Sequence, residues 1–194
     1  MKHLKKILII IPLFTLSCSS VQYVENYEPI NVFLETKNLE KGREYILLHD
    51  KINNLAPLRL FNGGEGEEHI IDPRDPIDYT DGLFVEKHWK KMYKQYAQDT
   101  IPKYWKKEDF PRFNFILENK KGLLGYDFMN RYLNTRIDTI VKISEPMYYM
   151  NKKYIMFYFE VASFFGTLSP EVVIMKKENG KWVVVREIGD YIYY

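Results

Sequence analysis

Tyr154-Ile155-Met156-Phe157-Tyr158-Phe159 runs without a single charged residue or small polar interruption. Successive side chains of a strand point to opposite faces, so a half-exposed strand alternates apolar with polar. This run does not alternate. It therefore predicts a strand covered on both faces, which obliges the chain to pack other elements around it.

The neighbouring sequence supplies partners for that strand. Residues 140–149, 172–177 and 182–186 are rich in β-branched and aromatic side chains, which favour strands. Turn chemistry separates them at Asn151-Lys152, at 166–170 and at Asn179-Gly180. An Asn-Gly pair suits the type I′ hairpin turn, which needs two positive φ angles. The reading is an antiparallel meander of about four strands.

A helix is expected before it. At about 100° per residue, Val85, Trp89, Met92, Tyr93 and Tyr96 form one stripe, and Lys87, Lys90, Lys91 and Lys94 fall opposite. Asp78 or Asp81 is placed to cap its first turn, and Pro102 limits its end. A weaker helical pattern joins Leu124, Phe128 and Tyr132, with Gly125 near its start. Residues 30–34 and 45–48 are apolar enough for strands or short helices, and periodicity does not separate the two at this length. Residues 62–82 read as a loop, with Asn62-Gly63-Gly64, Gly66, Pro73 and Pro76 as turn formers. The fold class that follows is α+β: a C-terminal meander packed by one or two helices, with the helix from Phe84 against one face. Trp89 and Trp182 are both expected at the helix–sheet interface.

The first residues are an address. Lys2, Lys5 and Lys6 precede an apolar stretch at 7–16, and Thr15-Leu16-Ser17 leads into Cys18. A basic start, a short apolar run and small residues at the cut describe a secretory signal peptide. The apolar run is about half the ~20 residues that a spanning helix needs. Thr15-Leu16-Ser17-Cys18 resembles a lipobox, although leucine stands one place later than in the common form. Cys18 is then the lipid-attachment residue and the first of the mature chain. The alternative is an ordinary signal peptide that contains a cysteine. The expected organisation is a signal peptide over 1–17, a lipid anchor and tether over 18–30, and a single domain over 31–194. The destination is the bacterial cell envelope, anchored to the outer membrane.

Composition narrows the rest. The chain has 194 residues, enough for one domain, and its single cysteine excludes a disulfide framework within the chain. Loss of three lysines with the signal takes the formal charge from +2 to −1. A near-neutral domain offers no electrostatic case for nucleic acid.

Ile143-Ser144-Glu145-Pro146-Met147, the apolar strand after it, and Lys177-Glu178-Asn179-Gly180-Lys181-Trp182 with its valine run resemble a group of small, uncharacterised bacterial lipoproteins. Trp105-Lys106-Lys107-Glu108-Asp109-Phe110 looks like part of the same pattern. The resemblance covers the signal and about the C-terminal half. Its motifs are structural and imply no activity. The order of helix then meander is also similar to cone-shaped α+β domains of the nuclear-transport-factor-2 and cystatin types.

Each candidate for chemistry has a plainer reading. Asp72, Asp75, Asp78 and Asp81 recur every third residue and could offer oxygens to calcium. No EF-hand pattern accompanies them, and a solvated loop that caps the next helix is the reading adopted. His49, His69 and His88 fall in no paired metal spacing; Glu67 and Glu68 beside His69 could form a weak zinc or copper site. Ser144, Ser163 and Ser169 have no local base, and no nucleophile elbow is present. Trp89, Tyr93, Tyr96, Tyr104 and Trp105 interleave with lysines, but helical spacing sends the aromatics to a core and the lysines to solvent. Sixteen tyrosines favour an exposed recognition surface, since tyrosine suits interfaces. The expectation is a non-enzymatic, lipid-anchored protein that binds a protein partner, with neither metal nor cofactor. The alternative is a small-ligand binder, or an enzyme, with an aromatic pocket between helix and sheet.

Overall fold

The computed structural model describes residues 21–189, except 38, 40, 41, 65–77, 133, 165, 168 and 169. Cys18 and the other residues of the address lie outside this set, as do Glu65, Glu67, Glu68, His69, Asp72, Asp75 and Ser169.

The architecture is α+β. The helices are α1 (Glu28–Thr36), α2 (Leu55–Asn62), α3 (Glu86–Tyr96), α4 (Lys120–Leu123) and α5 (Asp127–Tyr132). The strands are β1 (Glu44–Leu48), β2 (Asn114–Glu118), β3 (Thr139–Ile143), β4 (Met147–Tyr149), β5 (Tyr154–Ser163), β6 (Gly166–Thr167), β7 (Glu171–Glu178) and β8 (Lys181–Gly189). One sheet runs in the order β2-β1-β3-β5-β7-β8, and β4 and β6 both pair with β5.

The C-terminal meander forms as expected: β3, β5, β7 and β8 are antiparallel neighbours. An edge that the sequence did not announce extends it. β1 lies parallel to both β2 and β3, so the sheet is mixed. Residues 30–34, left open between strand and helix, lie in α1, while 45–48 lie in β1.

β5 is the central strand, and residues 154–160 are all buried. Alternation within it assigns the two cores. Ile155, Phe157 and Phe159 join Val173 and Met175 of β7 beneath Ile30, Phe33 and Leu34 of α1. Met156 and Tyr154 join Val172 and Ile174 on the other face, under Leu58 and Phe61 of α2 and Trp89, Met92 and Tyr96 of α3. Helices therefore cover both faces, where the sequence reading placed them on one. A third cluster puts Phe128 and Tyr132 of α5 over Ile46 of β1.

Several local expectations change. Asp78 and Asp81 do not cap α3. Asp78 instead accepts hydrogen bonds from the Thr80 N–H at 2.9 Å and the Gly82 N–H at 3.1 Å, closing its own turn. The Val85 N–H at the start of α3 is satisfied by the Tyr149 hydroxyl, 2.9 Å away. Leu124 lies outside the helical stripe and is 81% exposed, because the chain breaks at Gly125 between α4 and α5. Trp89 is fully buried and donates its indole N–H to the Leu58 carbonyl at 3.1 Å. Trp182, on the edge strand β8, is only half-buried against the α1-side core.

The hairpin at Asn179-Gly180 joins β7 to β8, with Lys177 opposite Trp182 and Glu178 opposite Lys181. Both turn residues have positive φ, 49° and 81°. A Cβ at Gly180 would meet nothing within 4 Å, so backbone conformation alone decides its cost. Gly180→Val should destabilise the fold by about 1–2 kcal/mol, read as a lowered urea midpoint with unchanged slope.

Candidate functional site

The segment that leads into α1 is fastened by two triads of tyrosine, lysine and carboxylate. In the first, Lys51 follows β1 and Glu145 follows β3. The Lys51 ammonium donates to Glu145 Oε2 at 2.5 Å and to the Tyr27 hydroxyl oxygen at 2.7 Å. The Tyr27 hydroxyl donates to Glu145 Oε1 at 3.0 Å, closing the triangle. The Lys51 and Glu145 side chains are only 6% and 7% exposed. The ammonium also sits 3.9 Å from the centroid of a Trp105 ring and 4.5 Å from that of Tyr27. Burial disfavours the charged amine and lowers the Lys51 pKa, while Glu145 opposes the shift. Burial, then the Glu145 carboxylate, raises the Tyr27 pKa.

The second triad is Tyr23, Lys103 and Asp99. Asn54 donates to the Tyr23 hydroxyl oxygen at 2.7 Å, and that hydroxyl donates to Asp99 Oδ2. Lys103 donates to the same carboxylate oxygen at 2.7 Å and lies 3.3 Å from the Tyr23 ring centroid. Burial pushes the Asp99 carboxyl up, but the hydrogen bonds from Lys103 and Tyr23 outweigh it and hold the pKa below its usual value. The triads are joined through the backbone, since the Lys51 N–H donates to the Lys103 carbonyl at 2.9 Å.

Two of the motifs behind the resemblance, at 105–110 and 143–147, meet here. Trp105 is fully buried and donates its indole N–H to the carbonyl of Ile143 at 3.3 Å. Ser144 is buried, and its hydroxyl oxygen accepts the Tyr158 N–H at 2.9 Å. Asp109 supplies a carbonyl to the buried Asn31 amide at 2.8 Å. These residues seat a segment and fill a core. Within residues 21–30, expected as part of the tether, Val24, Pro29 and Ile30 are buried and Gln22, Glu25, Asn26 and Glu28 are exposed. Val24 is buried in the first core and α1 begins at Glu28.

Tyrosine hydroxyls repeat this fastening elsewhere. Tyr96 donates to the Gln22 carbonyl at 2.8 Å and accepts the Tyr148 N–H at 3.1 Å. Tyr149 donates to the Leu83 carbonyl at 2.9 Å. Tyr132 donates to Glu118 at 2.6 Å, and Arg131 meets the same carboxylate oxygen at 2.9 Å. The recognition surface expected from the tyrosine count is therefore thin among the described residues: Tyr104 and Tyr126 are the exposed ones, and six others are buried.

The histidines separate. His49 stacks on Tyr104 at 4.9 Å. His88 lines an open groove of about 330 Å³ between α3 and the β4–β5 turn, with Gln22, Lys91, Gln95, Asn151 and Lys152. No three acidic, histidine or cysteine residues among those described are placed to share a metal ion. Between α3 and the sheet, Trp89, Met92 and Tyr96 pack with Met156, Val172 and Ile174 in the core. No described helix is long and apolar enough to cross a membrane. Set against known proteins, the chain matches no family model, no curated sequence and no solved structure.

Two outcomes follow. Lys51→Met leaves Glu145 buried without its cation and should cost about 3–5 kcal/mol, most of it recovered in Lys51→Met/Glu145→Leu, as urea unfolding of the three proteins would reveal. Burial pushes the Tyr96 pKa up to about 12. Its neutral form is thus favoured by folding; that stability is intact below the unfolded value near 10 and is lost as pH rises through about 12. Unfolding free energy should fall across this window, and Tyr96→Phe should reduce the slope by about 1.4 kcal/mol per pH unit.

Proposed function

We propose that this is a lipid-anchored protein of the bacterial cell envelope, held in the outer membrane through Cys18, that acts by binding a protein partner. The observation that carries the reading is the address itself: the chain's one cysteine follows a basic start and a short apolar run. Its likeness in motif to small bacterial lipoproteins supports the same reading. The packing of Val24 is consistent with it, because the ordered domain begins within a few residues of the anchor.

In this reading binding takes place on the surface. The connection between α4 and α5 is the favoured contact. Leu124 and Tyr126 there are 81% and 93% exposed, the largest values among large apolar side chains in the described residues. Tyrosine is among the residues enriched as anchors of interfaces.

The anchor is tested by mass. Protein recovered from envelopes should carry acyl chains on an N-terminal Cys18, and Cys18→Ser should abolish acylation and lose membrane retention. Unchanged mass and retention in the variant would overturn it. Photo-crosslinking from position 126 in intact cells should capture one partner, and Leu124→Ser should weaken that capture.

A further inference from the structure

The surface of α3 is divided by charge. Lys87, Lys90, Lys91 and Lys94 are all exposed, against Glu86, which is held in an ion pair with Lys90 at 2.7 Å. Lys152 and Lys153, also exposed, face out from the β4–β5 turn. The groove between these elements has an apolar floor of Met92, Tyr148 and Met150, and carries Lys91, Lys152 and His88 with the amides of Gln22, Gln95 and Asn151. No carboxylate is among its described lining residues. Lys91 donates to the Asn151 side-chain oxygen at 3.1 Å, and the Lys152 ammonium is 5.1 Å from the Tyr148 ring centroid. Cations and amide donors thus converge on one recess, inside a mature chain whose formal charge is −1.

The turn that supplies two of these groups is not built for ease of folding. Met150, Asn151 and Lys152 have φ of 47°, 54° and 68°. Three successive left-handed residues, none of them glycine, hold a conformation that a Cβ disfavours. Glycine would adopt it freely. The chain instead places an amide and an ammonium there, and both line the groove.

Position selects the ligand. Gln22 is on the groove wall, four residues beyond Cys18, a reach of roughly 14 Å at full extension. We propose that the groove binds the phosphodiester headgroup of an anionic phospholipid in the bilayer that holds the anchor. This rests on the anchoring reading. The lysines meet the negative headgroup, the amides donate to phosphate oxygens, and the domain is oriented with α3 toward the membrane.

The test uses the full chain and dihexanoyl phosphatidylglycerol below its micelle concentration, followed by NMR. The His88 ring and the Gln95 and Asn151 side-chain amides should shift and saturate, with weaker effects from dihexanoyl phosphatidylcholine. Lys91→Glu/Lys152→Glu should lower affinity about tenfold or more at low salt. Lys152→Gly keeps the fold intact, because glycine suits its φ; it should leave the melting temperature unchanged or higher while weakening binding. No saturable shift with phosphatidylglycerol, or equal affinity in the charge-reversed protein, overturns the proposal. Inorganic phosphate saturating the same resonances at equal affinity assigns the groove to a free anion and also overturns it. The mass of Cys18 is read separately, so a failed anchor is distinguished from a failed headgroup site.

Discussion

The triangle of Lys51, Glu145 and Tyr27 holds together parts of the chain that no regular ladder joins. It links the segment before α1, the loop after β1 and the loop after β3. A buried ion pair costs desolvation of both charges, and attraction offsets that cost only where geometry and extra hydrogen bonds are good. Both carboxylate oxygens of Glu145 are occupied here, and two aromatic rings face the ammonium. The arrangement confers specificity of placement: moving the loop after β1 or the loop after β3 leaves a charge buried without its partner, and moving the segment before α1 removes the Tyr27 hydroxyl from both. The triangle lies just beyond the parallel β1–β3 pairing, since the loops that follow these strands carry the two charges.

The same chemistry explains a composition rich in tyrosine. A tyrosine buries a large ring and still needs a partner for its hydroxyl. Tyr96 and Tyr149 use theirs to satisfy backbone groups of the neighbouring segments, and Tyr23, Tyr27 and Tyr132 theirs to reach carboxylates. The rings close the space between layers, and the hydroxyls fix where irregular segments attach. α3 shows the division most clearly: Trp89, Met92 and Tyr96 are in the core, and its lysines remain in water beside the groove.

Much of this was legible in sequence because its physics is local. The period of α3, the unbroken apolar run of β5 and the Asn179-Gly180 turn each depend on residues within a few positions. They determined an α+β fold with a C-terminal meander. The proposed address around Cys18 rests on equally local features. The parallel pairing of β1 with β2 and β3 was not legible, since strands of that length give no signal of register or partner. Nor was the role of residues 21–30, which depends on distant partners: Tyr23 and Tyr27 are held by Asp99 and Glu145, 76 and 118 positions away. Lys51, Lys103 and Glu145 look like ordinary surface charges until the fold brings them together. The groove is likewise a product of two distant segments, with Lys91 and Asn151 60 positions apart. Sequence by itself determined which segments become helix or strand and which faces are apolar, because backbone propensity and periodicity act over a turn or a pleat. Only the tertiary structure decided which charges are buried together and which line a groove, because that depends on long-range contacts whose energies no local pattern encodes.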